Sequence, residues 1–149
     1  MGENTTEWIN KQSLIKWQRA GTVYPNNTLY GVNGVDQADI IQGSLGNCWF
    51  LAACHTLSKI PSRVENVFLN LENKLSPNGI YGVNFYLLGV PHTVIVDDYL
   101  PLVSGTTAGT YKTYFASISP DSALWVPILE KAFAKLYGNY AHIVGGDPR

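Results

Sequence analysis

The run Gln42-Gly43-Ser44-Leu45-Gly46-Asn47-Cys48-Trp49-Phe50-Leu51-Ala52-Ala53 constrains this chain more than any other stretch. It reads as a glycine-bent loop feeding straight into an apolar helix, with a cysteine at the point of entry. Gly43 and Gly46 are expected to take backbone angles that a residue with a side chain resists. Asn47 is expected to cap the helix, and the Leu, Ala and Cys residues that follow carry it on to about Ser58. That helix is apolar on most sides, so it is expected to lie buried at the centre of the fold. At a helix N-terminus the free N–H groups and the positive end of the dipole favour a thiolate, the nucleophilic form of cysteine. Gln42, just upstream, can turn its side-chain amide toward the same spot. With the Cys48 N–H it would make a two-donor oxyanion hole. A lone cysteine in an apolar helix is more often a small buried hydrophobe, which is how Cys54 reads. Donor, hinge, cap and nucleophile in working order single out Cys48 for acyl transfer.

At 149 residues the chain suits one domain with a real core. A chain of that length buries roughly two thirds of its unfolded surface. Charged residues make up only 14%, against about a quarter in an average soluble protein. A surface so short of charge is consistent with one face being covered by another element. The formal charge of −1, with no basic stripe, argues against a nucleic-acid partner. No apolar run approaches the length of a membrane span, and the first residues lack the basic and apolar regions of a secretory signal. Cys48 and Cys54 lie on one predicted helix too far apart to bridge. Both read as free thiols, and the expected compartment is the cytoplasm.

Residues 1–16 read as a polar tail with a short, weakly amphipathic helix using Trp8, Ile9 and Ile15. Residues 17–41 read as an irregular approach that delivers the backbone to Gln42. Beyond the nucleophile helix, Pro61 interrupts the pattern, and Ser62-x-x-Glu65 reads as the capping box of a second short helix. Ile80 to Leu88 and His92 to Val96, separated by Gly89-Val90-Pro91, read as an antiparallel hairpin. Tyr99 to Leu102 is read as leaving that sheet, and Tyr111 to Phe115 as a third strand. The last helix is placed from Ser119 to about Tyr137, with Pro127 marking either a kink or a later start. Trp125, Leu129, Ala132, Phe133 and Leu136 form its apolar face. Glu130 is placed on the shoulder, and Lys131 and Lys135 point away.

The string Gln-Gly-x-x-Gly-Asn-Cys-Trp-Phe at 42–50 closely resembles the active-site signature of the calpain family of papain-like cysteine proteases. The likeness continues through Val94-Ile95-Val96-Asp97-Asp98-Tyr99-Leu100-Pro101, the segment Leu129 to Gly138, and the pair Gly145-Gly146. It covers about residues 17–146 and corresponds to the first half of a calpain protease core. The resemblance implies an α+β fold, with a central buried helix packed on short antiparallel strands and additional helices. It also implies an intracellular, calcium-regulated endopeptidase acting on proteins or peptides. Residues 1–16 would then be a tail and 17–149 the nucleophile-bearing subdomain. The general base and its orienting group, a histidine and an asparagine, would come from a second subdomain beyond the glycine pair. His55 lies too far along the helix, and His92 and His142 read as surface or structural residues, so the chain alone is expected to be inactive.

The same comparison places Val32 and Gly34 as carbonyl ligands, and Asp39 and Glu130 as carboxylate ligands, of a low-affinity calcium site. Oxygen-only ligation on a glycine-containing loop is what calcium accepts. Two positions depart from the conventional pattern. Asn47 stands where an acidic residue is usual, and Gln37 where an arginine joins an ion pair between the subdomains. The usual calcium switch is where this chain departs, rather than the nucleophile. Two other readings stand beside the protease: a non-catalytic calpain-like module binding calcium or a protein partner, and a structural domain with Cys48 in its core.

Overall fold

The computed structural model describes residues 14–146. Trp8 and Ile9 lie outside them, and Ile15 precedes a strand instead of closing a helix. The chain enters through β1 (Lys16–Arg19) and one helical turn, α1 (Ala20–Val23). It then runs irregularly to a 3-10 turn at Gln37–Asp39, and the expectation of an unstructured approach holds only between these pieces. α2 spans Cys48–Ser58 and α3 spans Pro61–Glu65. α3 starts two residues earlier than its capping box suggested. Pro61 takes the first helical position, where its missing N–H costs nothing, and Ser62 makes no cap.

β2 (Ile80–Leu87) and β3 (Val90–Asp97) form the antiparallel hairpin, with Tyr86 opposite Pro91. The turn is Leu88-Gly89, with φ of 51° and 81°, rather than Gly89-Val90-Pro91. Two-residue hairpin loops of the type that matches strand twist need positive φ at both positions, and leucine gives no such signal in sequence. Pro91 is tolerated because both strands of a two-stranded sheet are edges.

β4 (Tyr99–Ser104) does not simply leave the hairpin. It is the centre of a second antiparallel sheet, between β1 and β5 (Tyr111–Thr113). The two sheets meet at adjacent aspartates. Asp98, buried, pairs with Arg19 at 2.8 Å and accepts the Gly21 N–H at 3.1 Å, which anchors β1 and α1. Asp97 accepts from Lys131 at 2.6 Å.

α4 spans Trp125–Leu136. The stretch before it is held as a turn by the Ser119 hydroxyl accepting the Ala123 N–H, with Ser122 at a φ of 67°. The later start puts Pro127 in the first turn, where no intrahelical donor is needed. Lys131 does not point away. Its ammonium also donates to the Tyr99 carbonyl at 2.6 Å and lies over the Trp17 ring, clamping α4 to the junction of the two sheets.

The main core gathers Phe50, Leu51 and Cys54 of α2 against Trp125, Ile128, Leu129 and Ala132 of α4, with Tyr81 and Val83 of β2. Phe133 stacks on Phe50 at 4.3 Å. α2 is not buried all round, because Ala52, Ala53, His55 and Thr56 face solvent. Alanine is apolar but small, so its exposure costs little, and that open side is the one that begins with Cys48.

Candidate active site

Cys48 is the first residue of α2 and is exposed. Cys54 on the same helix is 3% exposed, and burial pushes its thiol up to about 12, with the charge of Glu130 adding to the effect. The reading of Cys48 as a core residue is therefore set aside. Ile40, Gln42, Cys48, Leu51, Ala52 and His55 line one shallow hollow of about 240 Å³. Gln42 donates one amide hydrogen to the Leu45 carbonyl at 2.9 Å. Its second N–H has no partner among the described residues and is free for a ligand in the hollow.

The loop is held from behind. Ser44 N–H donates to the Tyr114 carbonyl at 2.9 Å, and Gly145 N–H to the Gly46 carbonyl at 2.9 Å. Gly43 and Gly46 are not in the left-handed region, contrary to expectation. A Cβ on Gly43 would lie 1.6 Å from the Phe115 carbonyl oxygen, so close approach of two backbones, not a special φ, requires glycine there. Trp49 donates from its ring nitrogen to the Ile143 carbonyl at 3.0 Å, and a Cβ on Gly146 would meet its ring at 2.4 Å. Of the closing glycine pair, Gly145 thus holds the loop and Gly146 leaves room for the Trp49 ring.

Asn47 does not cap α2 with its side chain. That side chain is fully buried, and its amide donates to Glu130 Oε1 at 2.7 Å. Glu130 Oε2 accepts the Ala116 N–H at 3.0 Å. Glu130 is 1% exposed, not on a shoulder, and burial pushes its carboxyl up to about 7 against the pull of these two hydrogen bonds. Nothing local announces this contact, since the partners lie 83 positions apart.

His55 shares the face of α2 that carries Cys48. Seven residues of helix place it roughly 10 Å along the axis, beyond hydrogen-bond reach of the sulfur. His92 is exposed on β3, and His142 is exposed with Nδ1 beside the Tyr137 carbonyl.

The positions expected to ligate calcium are distributed as follows. Val32 is exposed and Gly34 has a φ of 85°. Their loop is clasped by Asp121, which accepts from the Asn33 backbone at 3.0 Å and from its side chain at 2.8 Å. Asp39 is buried, and its Oδ2 accepts from the Trp125 ring nitrogen at 2.8 Å and the Asp36 N–H at 3.0 Å. Helical geometry puts Glu130 about 140° around α4 from Trp125. No hydrogen bond or ion pair among the described residues joins Asp39 to Glu130, and none of the described residues form a group of three or more His, Cys, Asp or Glu suited to a metal.

Cys48 thus heads α2 exposed, with Gln42 lining the same hollow. The chain matches the sequence profile of the calpain family cysteine proteases over residues 3–149. The chain belongs to the calpain family.

Among calpains, it is 36% identical to Calpain-5 of Caenorhabditis elegans over 141 residues, covering 91% of this chain and 21% of that relative. It is 40% identical to the calpain-type cysteine protease ADL1 of Oryza sativa subsp. japonica over 141 residues, covering 95% and 6%. With human Calpain-12 the identity is 35% over 137 residues, covering 91% and 18%. The chain thus spans about a fifth or less of the length of these calpains. The mixed fold of short antiparallel sheets and helices is the one the calpain signature implied.

Proposed function

We propose that this calpain-family chain is the nucleophile-bearing part of an intracellular cysteine endopeptidase. The observation that carries the reading is the exposed Cys48 thiol at the first position of α2, sharing one hollow with Gln42. In this reading the Cys48 thiolate attacks the scissile carbonyl carbon, and the carbonyl electron pair moves to oxygen. The oxyanion accepts hydrogen bonds from the Cys48 N–H and from a Gln42 amide hydrogen. Collapse expels the amine, which takes its proton from a histidine on a second subdomain. Water then hydrolyses the thioester with that histidine as base. Free thiols suit a reducing compartment such as the cytoplasm. Among the described residues no helix is long and apolar enough to cross a membrane.

In a chain extended by the histidine- and asparagine-bearing subdomain, Gln42→Ala should lower kcat by roughly 10²- to 10³-fold, the usual cost of one oxyanion donor. Steady-state kinetics on a fluorogenic peptide reads this, and an unchanged kcat would remove Gln42 from the site.

Calcium fits the loop in part. The Val32 and Gly34 carbonyls and the second carboxylate oxygen of Asp39 are oxygen donors on a glycine-containing loop, as calcium requires. Glu130 does not fit as it stands, because both its oxygens accept N–H hydrogens. A site with so few charges binds weakly, in roughly the 10⁻⁵ to 10⁻³ M range. Millimolar calcium should raise the melting temperature by a few degrees, and magnesium by less. Asp39→Ala should abolish the shift and Asp97→Ala should keep it. A flat melt with no calorimetric binding heat would withdraw calcium from the account.

A further inference from the structure

We propose that Glu130 is a positioning residue for Cys48, fixing the start of α2 and the bed of the Gln42 loop with one carboxylate. The inference rests on the reading of Cys48 as nucleophile and adds a residue to it.

A carboxylate with 1% exposure is costly to keep, and a leucine in its place would pack a helix–helix contact at no such cost. What the position gains is visible in its two partners. One is Asn47, the residue immediately before Cys48, donating at 2.7 Å. Asn47 has a non-helical backbone, with φ of −113° and ψ of 33°, and its carbonyl accepts the Phe50 and Leu51 N–H groups that open α2. The orientation of Asn47 therefore decides where the first turn of α2, and with it the Cys48 sulfur, is aimed.

The second partner is the Ala116 N–H, at 3.0 Å. Ala116 directly follows Tyr114 and Phe115, whose carbonyls receive the Ser44 N–H and the close approach of Gly43. Glu130 thus bridges α4 to both sides of the site, the nucleophile side through Asn47 and the oxyanion side through Ala116. The other side-chain atom of Asn47, Oδ1, is buried without a hydrogen-bond partner among the described residues. The amide N–H donated to Glu130 is thus the hydrogen bond that orients the Asn47 side chain.

The test is the rate of Cys48 modification by iodoacetamide in the folded chain, resolved from Cys54 by peptide mapping. Glu130→Gln keeps the volume, but it turns a donating NH2 toward one of the two N–H groups, which then loses its acceptor. Asn47→Ser keeps a small polar residue that cannot reach across. Each should slow Cys48 about three- to fivefold, the scale on which a helix terminus influences a nearby charge. The double variant should be slowed by less than the product of the two single effects, because both act on the one bridge between Asn47 and Ala116. Cys54 should stay protected throughout.

An unchanged Cys48 rate in the folded variants, or effects that add in the double, would overturn the proposal. So would Cys54 labelling that rises in step, which would make Glu130 a packing residue only. If Glu130→Gln does not fold, Asn47→Ser carries the same test. A wild-type chain whose Cys48 reacts no faster than Cys54 would instead bring down the nucleophile reading beneath it.

Discussion

Residues 1–149 alone should show no Cys48-dependent turnover of a denatured protein or a fluorogenic peptide, with or without calcium. Peptide hydrolysis by a thiol needs a base to hold the thiolate and an acid to protonate the leaving amine. The one histidine that lines the hollow, His55, is about two helical turns from Cys48, and neither His92 nor His142 lines it. In an acyl-transfer triad, loss of the histidine removes roughly six orders of magnitude in kcat. Joined in one chain to a subdomain that supplies a histidine and an asparagine, the same residues should cleave, and Cys48→Ala should silence them again. Turnover by the 149-residue chain that Cys48→Ala removes would reveal a base within it, and His55→Ala would be the variant to make next.

What was legible in sequence was local. α2 begins and ends where its loop and apolar run place it, because a glycine loop followed by ten or so helix formers leaves few alternatives. The hairpin was visible in its β-branched and aromatic strands, and only its turn was misplaced, by Leu88 occupying an angle leucine seldom takes. The helix bearing Glu130 was visible from its apolar period, and Pro127 correctly admitted a later start.

What was not legible depends on residues far apart in the chain. Asn47 looks like an N-cap because asparagines before helices usually are. A buried carboxylate from the far end of the chain claims its amide instead. Nothing near Asp39 in sequence announces that it is buried against the Trp125 ring nitrogen. Gly43 reads as a hinge, yet what it permits is contact with a backbone more than seventy residues onward, at Phe115. β4 was read as an exit from the hairpin because its partner, β1, is a four-residue strand with no periodicity to detect. In each case a satisfied hydrogen bond or a close packing contact outweighs the local preference of the residue.

If Cys48 is the reactive thiol, the difference between its surroundings and those of Cys54 has a second, large consequence. Cys48 stands exposed among the free N–H groups that open α2. Cys54 sits in the core with its thiol pushed up to about 12, so almost none of it is thiolate at neutral pH. Because only the thiolate is alkylated, and only where the reagent can reach, the two rates should differ by about a hundredfold or more. The direct measurement is a time course of iodoacetamide modification of the folded chain at pH 7.5, with each cysteine quantified by peptide mass spectrometry. Cys48 should be labelled to completion while Cys54 remains free. Equal labelling of the two, or labelling of Cys54 first, would contradict it.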